Sequence, residues 1–368
     1  MKYKYYASFT PGLQKVVAEI VSERLNDVRI SKLLDGAIIF ETEVSYDSLN
    51  FFCFNNIFAL ISIADVPPLK KVSAKAAIEE FIATTCTRKA ARNTAFAKDA
   101  IKNNNSKIQS FRVIPAIENT PAAVSKNTLE IAEDFIAELS GLNPSRHNPD
   151  TEFWFLYRKE GSGGNSFIVF LKRLTRHASW EKSLHPGELT PPLAYILCYL
   201  SKPKHGQKVL DPFCGYGSIP LARAKYFPQS DIYAADIDEK VLVYTKSKLP
   251  KTVHVINTDI AHLLYTEELH NCINTFDTII TDPPWGVYEK KKDLGRFYND
   301  MLKTCVQLLK ADGVVVMLTA ATQELSEALK RTTLSITARY NILLSGKKAS
   351  VFVLGNHLVN GLAAGDHR

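Results

Sequence analysis

Val209-Leu210-Asp211-Pro212-Phe213-Cys214-Gly215-Tyr216-Gly217 is a short apolar run that ends on an aspartate and breaks into a glycine-rich turn. The same pattern recurs downstream. Asp231 to Ala235 leads to Asp236-Ile237-Asp238, Val253 to Ile256 leads to Asp259, and Phe276 to Ile280 leads to Asp282. The aspartates Asp211, Asp236, Asp259 and Asp282 lie 25, 23 and 23 residues apart, each about one strand-plus-helix repeat. Val314 to Leu318, Thr337 to Leu344 and Val351 to Leu354 follow, the last two close enough to form a hairpin. Seven such strands predict an α/β, doubly wound, Rossmann-like sheet over residues 193–368, with its final strand antiparallel.

Ligands of such sheets bind at the carboxyl ends of the strands. Four carboxylates at that edge make an acidic pocket, the wrong sign for a pyrophosphate. It suits a ligand with a sulfonium, an ammonium, a ribose diol and an adenine amine, the groups of S-adenosylmethionine. Gly215 and Gly217 let the backbone approach the ligand. Asp236 stands where a ribose-binding acid belongs, and Asp259 can accept from the adenine amine. Phe213, Cys214, Ile237 and Ile260 are assigned to the same pocket, Cys214 as a small packing residue and not a nucleophile. Asp238 reads as a helix N-cap. A dinucleotide site is disfavoured, because its third glycine falls on Pro220.

Asp282-Pro283-Pro284-Trp285-Gly286 follows the fourth strand. Two prolines stiffen the loop and remove two donors, leaving the Pro283 carbonyl and the Asp282 carboxylate as acceptors. A purine's exocyclic amine is a poor nucleophile because its lone pair is delocalised into the ring. Two acceptors on its hydrogens would aim that lone pair at a methyl carbon, and Trp285 offers a face for a flipped base. Taken alone, the same tetrapeptide is also a rigid turn with a buried tryptophan.

The chain has 368 residues, enough for two or three domains. Tyr3–Ser8 reads as a strand, Gly12–Leu25 as a helix, and Ala37–Phe40 and Ile57–Ile63 as strands. With a second helix between these last two, residues 1–66 predict a small ferredoxin-like α+β unit. Residues 67–175 predict a second unit, with helices over Val72–Ala83 and Ser125–Leu139 and strands over Gln109–Ile114 (ending at Pro115), Phe153–Tyr157 and Phe167–Leu171. Ser125 is the expected N-cap and Gly141 the expected stop. Residues 176–192 form a polar, proline-containing linker. No run of 18 apolar residues appears. Six cysteines are scattered without zinc spacing and nine histidines show no ligand spacing, so neither a metal nor disulfides are expected, and a reducing cytoplasm is.

The net charge is +7. Between Lys70 and Arg112 ten Lys/Arg face three acids, so this stretch carries the whole excess. Such a patch attracts a polyanion or simply solvates a surface. The candidate RNA contacts are Lys70, Lys71, Arg88, Lys89, Arg92 and Arg112, with Lys172, Arg173 and Arg176 at the linker, where tracking a phosphate backbone and solvating the linker stand equal.

On these motifs the chain resembles RNA methyltransferases that carry a THUMP domain before a class I S-adenosylmethionine-dependent domain. The resemblance includes Phe111-Arg112-Val113, Asn148-Pro149-Asp150, Ser183-Leu184-His185-Pro186-Gly187 and both motifs above. Within that family it is most similar to tRNA guanine-N2 methyltransferases. The resemblance implies that Asp211, Gly215 and Gly217 line the methionine side, that Asp236 holds the ribose and Asp259 the adenine, and that Asp282, Pro283, Pro284 and Trp285 hold a target guanine. It implies a tRNA partner gripped in its acceptor-stem region, with position 6 as a candidate; a monomer is favoured. Two departures stand out: Trp285, where tyrosine or phenylalanine is commoner, and Tyr216, where a small residue is usual. The alternatives are an rRNA guanine-N2 methyltransferase, a DNA amino-methyltransferase, and an RNA-binding protein without activity.

Overall fold

The computed structural model describes residues 2–66, 73–87, 100–102, 107–118, 120–161, 165–175, 184–286, 293–344 and 346–356. Two compact units emerge: Met1–Phe9 with Gln14–Ser179, and Thr10–Leu13 with Trp180–Arg368. Among the described residues no helix is long and apolar enough to cross a membrane.

The first unit is built on one sheet. Its strands are β1 (Tyr3–Ser8), β2 (Arg29–Leu34), β3 (Ala37–Thr42), β4 (Asn56–Val66), β5 (Ser110–Ile117), β6 (Thr120–Pro121), β7 (Asn143–Pro144), β8 (Thr151–Glu160) and β9 (Asn165–Arg173). They run in the order β2-β3-β1-β4-β9-β8-β5-β6, with β7 also on β5. Helices α1 (Gln14–Arg24), α2 (Ala74–Thr85) and α3 (Lys126–Ser140) accompany it. The expected boundary near residue 66 falls on a continuous sheet: β4 pairs with β1 at Tyr5–Ser8 and with β9 along Phe58–Val66. Both faces of the joined sheet are apolar. Ile78, Ile82, Ala132 and Ile136 of the helices pack with Phe111, Phe153 and Phe170 on one side, and Tyr6, Phe58, Leu156 and Val169 form the other core.

Two local expectations change. The helix expected between Ala37–Phe40 and Ile57–Ile63 is absent from residues 43–55, where one turn forms at Ser45–Leu49 and goes no further. Ser45, Asp47, Ser48 and Asn50 are residues whose side chains compete for the backbone, while Phe54 stacks on Phe40 and Phe51 meets it edge-on. The strand expected to stop before Pro115 continues to Ile117. The Pro115 carbonyl accepts from Ala122 N, so its nitrogen faces the two-residue edge strand and not β8. The caps of α3 are the expected ones: Ser125 accepts from Thr128 N, and Gly141 ends the helix at φ 71°.

The second unit carries β10 (Lys208–Asp211), β11 (Asp231–Asp236), β12 (Val253–Asn257), β13 (Phe276–Thr281), β14 (Leu309–Thr319), β15 (Leu334–Leu344) and β16 (Lys347–Asn356). Their order is β12-β11-β10-β13-β14-β16-β15. The first five are parallel, and β16 runs antiparallel to both neighbours. Its helices are α4 (Pro191–Leu200), α5 (Ser218–Tyr226), α6 (Glu239–Lys248), α7 (Leu294–Leu308) and α8 (Thr322–Leu329). The last prolines of the expected linker open α4, capped by Thr190. Leu210, Phe276, Ile279, Met301, Val315 and Phe352 lie in the core. From β10 the chain winds outward to β11 and β12, then reverses to β13 and β14. The crevice at that switch point is where such sheets bind ligands.

Candidate active site

A cavity of about 580 Å³ opens at the carboxyl ends of the parallel strands, lined by Asp211, Phe213, Cys214, Gly215, Asp236, Ile237, Asp259, Ile260, Asp282, Pro284 and Trp285 among others. Its size suits a cofactor plus one acceptor group. Strands β10 and β13 are largely buried and bring Asp211 and Thr281 to their ends at the crevice.

The four aspartates share this wall but differ in state. Asp236 is engaged on both oxygens, accepting from Gly215 N (2.8 Å) and Asp238 N (3.0 Å). Asp259 accepts from Ala261 N and caps the 3-10 turn Ile260–Tyr265. Asp238 caps α6, as expected, and also lines the cavity. Asp211 is 2% exposed. Its Oδ1 accepts from Phe213 N, whereas Oδ2 is buried without a hydrogen-bond partner. Burial, helped by the charges of Asp236 and Asp282, pushes the Asp211 carboxyl well above its usual range. Burial pushes Asp282 up to about 7, opposed by the Trp285 indole N–H, which donates to Asp282 Oδ1 at 2.8 Å.

An orphaned buried acceptor beside two further carboxylates is a donor set for a cation, so the residues fit S-adenosylmethionine. Gly215 adds open space, for a Cβ there meets nothing within 4 Å. Gly217 is different: it does not line the cavity, and a Cβ would come within 2.8 Å of Thr245 Cγ2 on α6. Its place is the αL turn before α5, at φ 81°. Pro283 is buried behind the cavity wall. Burial raises the Cys214 thiol, consistent with packing and not with nucleophilic chemistry.

Residues given no site role from the sequence complete the site. Pro186, Gly187, Glu188 and Leu189 form one wall. Glu188 is fixed by Lys248, by the Ser218 hydroxyl and by His185 N, while the His185 ring stacks on Tyr216 at 4.1 Å. Phe297 lines the cavity edge-on to Phe213. Tyr298 is fully buried, with its hydroxyl 2.6 Å from Thr319 Oγ1 and donating to Pro284 O at 3.4 Å. None of these follows a strand end, so strand-end reasoning passes over them. Among the described residues no group of His, Cys, Asp and Glu is arranged to hold a metal.

The candidate RNA contacts are distributed unevenly. Lys70, Lys71, Arg88, Lys89, Arg92 and Arg176 lie outside the described residues. Arg173 corrects its expectation: its side chain is 7% exposed and bonded to Glu152 and Asn56, inside the sheet. Arg112 pairs with Glu152 at 2.6 Å yet keeps 38% of its side chain exposed. Lys172 donates to the carbonyls of Ile101 and Lys102.

Residues 178–350, just under half of the chain, match the family model of the RMKL-like methyltransferase domain, UPF0020. A tRNA (guanine(6)-N2)-methyltransferase of Thermus thermophilus is 34% identical over 156 residues, which are 41% of this chain and 45% of that protein. Another, from Methanocaldococcus jannaschii, is 25% identical over 207 residues, 46% of this chain and 54% of that protein. The chain thus spans about half the length of these curated relatives in the matches. The crystal structure of TrmN from Thermus thermophilus superposes with a TM-score of 0.71 at 22% identity, covering 97% of this chain and 100% of that one. That likeness establishes the fold, a Rossmann-like methyltransferase architecture in the second unit.

Proposed function

We propose that this chain transfers the methyl group of S-adenosylmethionine to the exocyclic N2 amine of a guanosine in tRNA, in the acceptor-stem region, with position 6 the first to examine. One observation carries the reading: the Asp282-Pro283-Pro284-Trp285 loop and the acidic strand ends Asp211, Asp236 and Asp259 meet in a single cavity. The names of the relatives supply the guanine and the tRNA. The reading carries with it a cytoplasmic location and an RNA grip by the first unit, whose ferredoxin-like and THUMP-like halves share one sheet.

The bound cofactor supplies an activated methyl on a sulfonium. The chain's own part is positioning and electrostatics. Asp211 places a buried carboxyl group at the cavity wall, where its charge favours a cation. Asp236 and Asp259, already tied to the backbone, offer their remaining acceptor capacity to ribose hydroxyls and the adenine amine. With Asp282 Oδ1 held by Trp285, Oδ2 is left to accept from the guanine amine and turn its lone pair out of conjugation. After transfer the product amine carries an extra proton, and a carboxylate near pH 7 is suited to take it. Trp285 and Phe297 provide aromatic surface for a base out of its stack.

The test is incubation with labelled S-adenosylmethionine and, separately, tRNA, rRNA and duplex DNA from a strain lacking the gene, followed by nucleoside mass spectrometry. N2-methylguanosine in tRNA is expected. Label in rRNA or DNA alone changes the substrate class, and no label with no cofactor binding leaves an RNA-binding protein without activity.

A further inference from the structure

The tryptophan in the acceptor loop does something a phenylalanine cannot. Its Nε1–H donates across the loop to Asp282 Oδ1 at 2.8 Å, and both residues line the cavity. An indole N–H is a donor only and takes no proton at any ordinary pH. The bond therefore always favours the carboxylate over the carboxylic acid. The loop has little freedom to lose it, because Pro283 and Pro284 fix two backbone angles and Tyr298, anchored on Thr319, holds the Pro284 carbonyl.

The surroundings make that donor necessary. Among the described residues, the titratable groups that share the cavity wall with Asp282 or feel its charge are Asp211 at the end of β10, Asp236 at the end of β11 and Tyr298 on α7. All are neutral or anionic, so none of them favours a charge on Asp282. Burial acts in the same direction.

We infer that Trp285 is a positioning residue for methyl transfer: its indole N–H keeps Asp282 ionised near neutral pH and leaves Oδ2 as the oxygen that accepts from the acceptor amine. This rests on the transfer reading above. Stacking of the indole face on a base is compatible with it, since the N–H lies on the ring edge. A phenylalanine keeps a face and loses the donor.

Two measurements test it, one free of activity. The sequence has three tryptophans, so a 15N-labelled sample gives three indole signals. In the wild type the Trp285 signal, identified by its loss in Trp285→Phe, is expected to shift with pH around a midpoint near 7. In Asp282→Asn that step is expected to vanish. Should Trp285→Phe not fold, the signal that responds to Asp282→Asn identifies itself. A wild-type signal that does not move between about pH 5 and pH 9 overturns the inference, whatever the activity.

The second measurement is the pH profile of kcat/KM with RNA substrate. Losing a hydrogen bond to a charged group is expected to move the acid limb of Trp285→Phe upward by on the order of one pH unit. The loss is then roughly tenfold near pH 6 and shrinks to less than about threefold near pH 9, with the cofactor Kd within about twofold. A merely structural role lowers activity evenly across pH, so an acid limb that stays in place overturns the inference. A wild type that transfers no methyl group, yet retains the indole step, removes the transfer reading while the hold of Trp285 on Asp282 stands.

Discussion

Each unit buries one acid to the same extent, and the two acids are treated in opposite ways. Glu152 on β8 and Asp211 at the end of β10 are both 2% exposed. Glu152 receives Arg112 from β5, its register partner, Arg173 from β9, and the Trp154 indole. Those donors outweigh burial and hold its carboxyl below the usual range. Asp211 has a backbone N–H on one oxygen and no hydrogen bond within normal geometry on the other; the nearby Thr281 hydroxyl lowers its carboxyl too little to offset burial, which pushes it well up. A buried charge is tolerated when it is paired and hydrogen-bonded. The first unit satisfies its acid internally, as a fixed part of the sheet. The second leaves one oxygen of its acid without a hydrogen bond, which under the proposed function is the place for a cation.

The sharpest contrast comes from the two carboxylates that each receive an indole. Asp282→Ala removes an acceptor that matters in the transition state, so kcat is expected to fall by about 10²- to 10⁴-fold with the cofactor Kd nearly unchanged. Single-turnover transfer beside calorimetric cofactor binding separates the two, and unchanged turnover would sink the assignment. Glu152→Ala is expected to do the reverse. It strands Arg173, and partly Arg112, without a counter-charge and should cost about 3–5 kcal/mol of stability, measured by urea unfolding of the first unit's signal. A loss under about 1 kcal/mol would make that triad a surface pair in effect.

Their pH responses have opposite signs. Glu152 is held down, so its contribution is present above the unfolded carboxyl value, about 4.3, and is lost as the pH falls through its lower folded value. Asp282 is held up, so it is neutral and costs nothing in acid. Its cost to folding appears as the pH rises above about 3.9 and is complete above about 7. Glu152→Gln should therefore flatten the acid side of the stability curve, and Asp282→Asn should raise stability at neutral pH.

Asp211→Asn sharpens the same comparison at smaller scale. An amide keeps the size of the side chain and removes the charge that burial disfavours, so the free protein should keep its stability while S-adenosylmethionine binding weakens by about tenfold. Burial disfavours the charged form of Asp211 and a cationic ligand favours it, so ligand binding and ionisation are coupled there. Calorimetry in two buffers of different ionisation enthalpy should show proton release on binding, and Asp211→Asn should abolish it. Equal heats in both buffers for the wild type would refute that role. Smallest of all is Gly217→Ala, where a positive φ and a contact at 2.8 Å predict a loss of about 1–2 kcal/mol in stability. Gly215→Ala faces open space but also a positive φ of 47°, so it should lose cofactor affinity together with part of the same backbone cost.

The second unit's architecture was written in local sequence. Apolar runs ending on Asp211, Asp236, Asp259 and Asp282 at near-constant separations predict parallel strands and bring four carboxylates to one edge, because every strand of such a sheet points the same way. The caps Ser125 and Gly141 were legible for the same reason: they act within one turn of the chain. What the sequence could not hold was any property set by distant neighbours. Residues 1–66 and 67–175 read as separate units because β4 and β9, which join them, are over a hundred residues apart. Arg173 read as a phosphate contact or a linker-solvating charge because neither Glu152 on the neighbouring strand nor Asn56, 117 residues away, is marked as its partner by local sequence. Gly217 looked like Gly215 until α6 supplied Thr245 beside it. Trp285 read as a stacking face, and its bond to Asp282 needed the loop's actual path. Sequence fixes which groups a chain possesses and the periodicity that places them on an edge. Only the tertiary structure decides which are satisfied by other parts of the chain, and so which remain for a ligand.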